Sequence, residues 1–409
     1  MKWALTSPDG LGDFLLRVPW LFAMEQAGWE LTLLARQPTL ELAMLAGLRG
    51  RMVPLGSSPY SKETRRLRDP FRPERIIAQE SDLVFLGPSQ PSFFEEELGG
   101  KLDGTRLGGF VLDEPFWPGE GICDPSRLAD RYEIRVKVRN DDSEPVRNAR
   151  AASILLGKNV ELQPFRFPGA TRSGWLSNRP DGRYTVTCPG YREGDYFTGL
   201  GAGRWITELR HIEKDTRFVF TGSPAEVQAN AAIRAGLSEP GAHLDITGQL
   251  TSLSELLAVL DGADAYVGKD SGTMHLAAAL DKPVVAVFGG GHWSRFLPTG
   301  TRGVVLTTIV PCRCCDWRCH LPEPVCVTGL PEGAVAEGFK LLSTLAQNEI
   351  RVMEYPADER VDALLATNPG HGFPERVHRE RRQRLAAERK ECLMPPLQRL
   401  WRTVARRFT

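Results

Sequence analysis

Asp264–Gly289 reads DAYVGKDSGTMHLAAALDKPVVAVFG, and the order of residue types in it decides the fold. Ala265–Gly268 is short and apolar, as a buried strand requires. Met274–Leu280 carries Ala and Leu at helical density, Pro283 interrupts the chain, and the β-branched run Val284–Val287 follows. Between the first strand and the helix stand Asp270, Ser271, Gly272 and Thr273, all small or polar. A helix start exposes unpaired N–H groups and a partial positive charge, and a small turn lets an anion such as a diphosphate reach them. Ser271 or Asp270 could equally cap a core helix, a position both residue types favour. The turn by itself leaves both readings open.

Working outward, the same alternation continues. Tyr184–Thr187, Phe218–Thr221 and Val304–Leu306 are strand candidates, with helical patterns at Trp205–Ile212, Ala225–Ala235 and Leu253–Leu260 between them. Strands alternating with helices imply a parallel sheet whose ligand crevice lies at the carboxyl ends of the strands. Trp3–Thr6, Phe14–Ala27 and Leu31–Ala35 form a second βαβ opening near the N-terminus, and Leu83–Leu86 is a further buried strand. From about Gly87 to Asp142 the chain has no clear period, and loops are expected there. Gln163–Gly182, with its prolines and glycines, reads as a connector. The expected organisation is a domain over 1–175, a second over 176–345 and a basic helical tail over 346–409.

At 409 residues the length suits about two domains. The 51 basic and 51 acidic residues cancel, which removes the electrostatic case for nucleic-acid binding by the whole molecule. No apolar run is long enough to span a membrane, and Met1–Gly10 lacks the apolar segment of a signal peptide, so a cytoplasmic protein is expected.

Three places offer chemistry. The turn Asp9-Gly10-Leu11-Gly12-Asp13 fails as a dinucleotide fingerprint because Leu15 occupies its third glycine position. It does present Asp13 beside two glycines, either as a general base or as a helix cap. Arg204, at a helix entrance, offers a cation for phosphate or a solvated surface charge, and Glu226 offers an acceptor for sugar hydroxyls or a complement to a helix dipole. Cys312, Cys315, Cys319 and Cys326 have the spacing C-x2-C-x3-C-x6-C, which suits a structural Zn or Fe in the loop 311–327, or a set of reduced thiols.

Gly10-Leu-Gly-Asp-Phe-Leu-Leu-Arg-Val-Pro19, Arg204-Trp205, Gly222-Ser-Pro-Ala-Glu226, Asp270-Ser-Gly-Thr-Met-His-Leu-Ala-Ala-Ala279 and Lys282-Pro-Val-Val-Ala-Val-Phe-Gly289, in that order, resemble glycosyltransferase family 9, the heptosyltransferases. The resemblance covers roughly residues 1–50 and 184–345. It implies a GT-B fold, two Rossmann-like domains facing across a cleft, and inverting transfer from a nucleotide sugar, ADP-heptose being favoured, without a catalytic cofactor. It further implies Asp13 as general base, Ser271, Gly272 and Thr273 at the donor diphosphate, Asp270 and His275 near the donor sugar, and Glu226 at the ribose. The acceptor would be a glycan, a glycolipid such as lipopolysaccharide, or a protein. The chain departs from the family at Gly203, where many members have lysine, and at Gly289-Gly-Gly-His-Trp293. A nucleotide-sugar epimerase and a non-catalytic nucleotide-sugar-binding subunit are the alternatives of other classes. In the tail, Leu397, Leu400, Trp401, Val404 and Phe408 recur at helical spacing among arginines, as either a membrane-surface helix at the inner face of the cytoplasmic membrane or a helix packed on the body.

Overall fold

The computed structural model describes residues 1–55, 79–88, 92–102, 104–112, 126–139, 142–168, 180–190, 200–313, 315, 319 and 321–367. Within them, short apolar runs pair into two parallel sheets, as continuous burial on both faces dictates. The first sheet holds β1 (Lys2–Ser7), β2 (Glu30–Ala35), β3 (Arg51–Pro54), β4 (Leu83–Leu86), β5 (Arg106–Leu112) and β6 (Ile134–Val138), in the order β3-β2-β1-β4-β5-β6. Helices α1 (Leu11–Gln26), α2 (Gln37–Ala46), α3 (Phe93–Lys101), α4 (Ser126–Ala129) and α5 (Glu144–Leu156) accompany it. Trp20 of α1 meets Phe85 edge-on at 5.1 Å between ring centroids, and Phe85 meets Phe110 at 5.4 Å. Truncating a ring this deeply buried costs about 3–5 kcal/mol.

The second sheet runs β13-β12-β11-β10-β7-β8-β9. Its strands are β7 (Thr185–Cys188), β8 (Phe218–Phe220), β9 (Leu244–Asp245), β10 (Ala265–Lys269), β11 (Val284–Val287), β12 (Gly303–Thr308) and β13 (Ile350–Tyr355). Its helices are α6 (Ala202–Arg210), α7 (Val227–Ala235), α8 (Leu253–Gly262), α9 (Gly272–Ala279), α10 (Val325–Thr328), α11 (Ala334–Leu341) and α12 (Glu359–Thr367). The two Rossmann-like domains expected of a GT-B fold are therefore present.

Two differences from the sequence reading have physical causes. The stretch expected to be loops contains β5 and β6, both paired in the first sheet. The glycines of RLGGFVL and the alternating charges of IRVKV hide them, yet Gly108 and Gly109 are small because Phe85 and Tyr132 occupy the space a Cβ would need. The second sheet extends past the expected limit of 345, since β13 pairs along β12 from Ile350 to Tyr355. The basic tail from Glu375 onward lies outside the described residues, and among those described no helix is long and apolar enough to cross a membrane.

Strand order reverses between β1 and β4 in the first sheet and between β7 and β10 in the second. In open α/β sheets ligands gather outside the carboxyl ends of strands at such points. The domains meet beside both of them. Leu253 N–H donates to Glu41 Oε1 at 2.9 Å, and Phe167 N–H donates to the Ala279 carbonyl at 3.0 Å.

Candidate active site between the domains

On the first domain, α1 starts directly after the β1 turn. Gly10 is its extended N-cap, and Gly10 N–H donates to Asp13 Oδ2 at 3.2 Å, so Asp13 helps to close its own helix start. The cap and the candidate base are thus one residue. Beneath it runs a charge network that the sequence reading missed. Arg17, fully buried, donates to both oxygens of Asp9 at 3.1 and 2.8 Å and to Ser7 Oγ at 2.6 Å. Its guanidinium lies 3.6 Å from Glu144 Oε1, and Arg295 of the second domain pairs with Glu144 Oε2 at 2.7 Å. Glu144 N–H also donates to the Arg295 carbonyl at 2.9 Å, so this pairing ties the domains by side chain and backbone together. One signal was available: Arg17 stands among Phe14, Leu15, Val18 and Leu21 on an apolar helix, where a cation needs buried partners.

The network sets the ionisation of Asp13. Burial and the neighbouring Asp9 carboxylate push it up to about 7, opposed by Arg295, with Glu144 adding and Arg17 subtracting smaller effects. Burial would also raise Glu144, but Arg295, Arg147 and Arg17 hold it below the usual carboxylate range.

Across the cleft, α9 begins at Ser271, which is extended (φ −159°, ψ 166°) and makes no side-chain cap bond. Its hydroxyl instead lies 3.2 Å from Tyr266 Oη, which also donates to the Lys269 carbonyl at 3.1 Å. No side chain therefore caps the first-turn amides of α9. Asp270 is raised to about 7 by burial and by Asp13, and buried His275 is lowered to about 4, so its imidazole is neutral.

The two helix starts touch. A Cβ on Gly12 would lie 2.5 Å from His275 Cδ2, and one on Gly272 would lie 3.3 Å from Leu11 Cβ. Glycine at 12 is therefore a condition for bringing Asp13 opposite the α9 amides. Asp13, Asp270, Ser271, Gly272, Thr273 and His275 thus share one interdomain region.

Glu226 stands further along the second sheet, at the end of a single helical turn, Pro224–Glu226. Its Oε2 accepts from Ser223 N–H at 2.7 Å and Ser223 O–H at 2.8 Å, and its Oε1 accepts from Lys269 Nζ at 2.6 Å. Burial would raise Glu226, but the Lys269 ammonium and these hydrogen bonds hold it below the carboxylate norm.

Arg204 is engaged elsewhere. Its Nε donates to Glu208 at 2.9 Å and its Nη2 to the Leu330 carbonyl at 2.8 Å, while Glu208 accepts from the amides of Gly333 and Val335 at the α11 start. Binding a phosphate would require it to leave those partners.

Cys312, Cys319 and Cys326 pack against one small apolar cluster with Val310, Leu321, Val325 and Val361. Among the described residues no group of three or more His, Cys, Asp or Glu side chains is gathered to hold a metal. Burial pushes the thiols of Cys312 and Cys319 up and that of Cys326 to about 11, and the three also act on one another.

Comparison with known proteins agrees with this layout. Residues 208–321 match the family model of glycosyltransferase family 9 (heptosyltransferase). Lipooligosaccharide heptosyltransferase 2 of Haemophilus ducreyi is 33% identical over 133 residues, a match covering 30% of this chain and 36% of that protein. The chain thus spans about a third of that relative's length. Among solved structures, E. coli ADP-heptose lipopolysaccharide heptosyltransferase II superposes with a TM-score of 0.59 at 17% identity, covering 84% of this chain and 99% of that one. E. coli heptosyltransferase WaaC with ADP-2-deoxy-2-fluoro heptose gives a TM-score of 0.56 at 20% identity, covering 83% and 99%. These two likenesses show the fold, and the segment 208–321 is similar to glycosyltransferase family 9 (heptosyltransferase).

Proposed function

We propose that the chain is an inverting glycosyltransferase that moves a heptose from ADP-heptose to a hydroxyl of a lipopolysaccharide or other surface-glycan acceptor, on the cytoplasmic side of the membrane. The observation that carries this reading is the close approach of Gly12 to His275, which sets Asp13 against the uncapped start of α9. In the proposed reaction the donor diphosphate lies on the amides of Gly272 and Thr273 with Ser271 beside it, in the partial positive charge of the helix start. Asp13 takes the acceptor hydroxyl proton while that oxygen bonds to the anomeric carbon from the face opposite the leaving group. The old C–O bond breaks with its electron pair going to the diphosphate, where the amides stabilise the growing charge. One base and one opposite-face attack invert the anomeric centre. A carboxyl with a pKa of about 7 is well matched to this task near neutral pH. Neutral His275 and Asp270 would line the donor sugar, and Glu226 the ribose.

The test is transfer by the purified full chain from ADP-heptose to a lipopolysaccharide core acceptor, followed by ADP release and by anomeric NMR of the product. Product of inverted configuration in the wild type, and loss of transfer with retained ADP binding in Asp13→Asn, are expected. Retained configuration, or undiminished turnover in Asp13→Asn, defeats the mechanism. Binding of ADP without any transfer would point to a non-catalytic subunit.

A further inference from the structure

The buried pair Lys269–Glu226 leaves a hydrogen-bonding inventory that the described protein groups do not complete. Glu226 accepts three bonds, two from Ser223 and one from Lys269. Lys269 Nζ donates to Glu226 and to the Gly190 carbonyl. An ionised carboxylate offers about four acceptor positions and an ammonium three donors, so each partner keeps one position for a ligand. The side chains remain 10% and 11% accessible, and Lys269, Gly190 and Glu226 stand at or just past the carboxyl ends of β10, β7 and β8, beside the strand-order reversal. The site is tightly built. A Cβ on Gly190 would lie 2.6 Å from Asn230 Oδ1, and one on Gly222 would lie 3.0 Å from Glu226 Oε2.

A donor position beside an acceptor position, both fixed on one ion pair, complements a vicinal diol, in which one hydroxyl donates and its neighbour accepts. We propose that Lys269 is a specificity-determining residue that reads the nucleotide's ribose together with Glu226, one hydroxyl donating to Glu226 and the adjacent hydroxyl accepting from Lys269. This rests on the reading of the cleft as a nucleotide-sugar site. A buried ion pair is favourable only when its remaining donors and acceptors are met. A ribose lacking one hydroxyl leaves one of them unmet, and such sites reject the deficient ligand strongly.

The experiment is calorimetric titration of the full chain with ADP, 2′-deoxy-ADP and 3′-deoxy-ADP. Each deoxy form should bind about 10- to 100-fold more weakly than ADP, the scale of one hydrogen bond to a charged group. In Lys269→Met, discrimination against one deoxy form should fall to about twofold while that against the other, read by Glu226, persists. Lys269→Gln keeps a donor of similar reach and should retain part of the lost discrimination, which also serves if the methionine variant folds poorly. Equal binding of all three nucleotides by the wild type overturns the proposal and leaves the nucleotide site standing. So does full discrimination against both deoxy forms in Lys269→Met. Failure of the wild type to bind ADP at all removes the donor assignment itself.

Discussion

Replacing Asp13 by Asn should make the protein more stable as it becomes inactive, and the gain should depend on pH in a calculable way. The Asp13 carboxyl moves from an ordinary 3.8 to about 7 in the fold, through burial first and the Asp9 charge second. Each pH unit of displacement corresponds to about 1.4 kcal/mol, so ionised Asp13 costs the native state about 4 kcal/mol. Asp13 is partly exposed and interacts with Asp270, and screening and coupling reduce the figure to about 2–3 kcal/mol. The sign follows from proton counting. Between pH 3.8 and 7 the native state binds more protons than the unfolded chain, so this group's contribution falls as pH rises and is fully unfavourable above 7. Asn cannot ionise, yet its amide oxygen can still accept from Gly10 N–H. Urea unfolding midpoints measured from pH 4 to 8 should coincide for the two proteins near pH 4 and separate steadily to pH 7.5, Asp13→Asn being the more stable. Transfer should fall about 10²- to 10⁴-fold, the usual worth of a general base. A midpoint difference that is flat with pH, or a variant less stable than wild type at pH 8, would refute the burial argument.

Other perturbations probe the same cleft. Arg295→Gln removes a cation that lowers the Asp13 pKa, so the acid limb of kcat/KM should move to higher pH; an unmoved limb denies the coupling. The same change takes the 2.7 Å partner from buried Glu144, which keeps Arg17 at 3.6 Å, and should cost about 1.5–3 kcal/mol in urea unfolding. Gly12→Ala places a methyl 2.5 Å from His275, and overpacking of about 1–3 kcal/mol should lower kcat/KM by about tenfold or more. ADP affinity, measured calorimetrically, should barely change in that variant, because the strain falls between the domains and not on the nucleotide. Arg204→Ala should lower stability by about 1–3 kcal/mol through the lost bonds to Glu208 and Leu330, with ADP affinity unchanged; a large affinity loss would return Arg204 to the donor site.

The sequence carried the centre of the second domain well because strands there are apolar runs, as in Val284–Val287, and Met274–Ala279 is dense in Ala and Leu, whereas β9 (LD) and β13 (IRVMEY) offer no such run. It carried the first domain less well. β5 contains two adjacent glycines whose absent side chains make room for aromatic neighbours, and a packing requirement of that kind has no periodicity to detect. Site residues divide along the same line. Asp13, Asp270 and the Ser271 turn were legible because a local strand–turn–helix pattern fixes where they stand. Asp9, Arg17, Glu144 and Arg295 were not, since the network joins β1, α1, α5 and the loop after β11, and only the domain contact brings them together. Arg204 shows the converse, a local position at a helix entrance that suggested phosphate while tertiary partners claimed its guanidinium.

The network also bears on how Asp13, the base of the proposed mechanism, can sit among acidic neighbours and still ionise near neutrality. Asp9 and Glu144 press Asp13 toward its protonated form, and Asp13 presses Asp270 the same way. Arg17 is locked to Asp9 from within the first domain, whereas Arg295 arrives with the second. The cation that opposes Asp9 most strongly therefore reaches Asp13 only when the domains meet. The contact between Gly12 and His275 and the pairing of Arg295 with Glu144 are then two parts of one condition: in the proposed mechanism, Asp13 would acquire its working ionisation in the same arrangement that sets it against the start of α9.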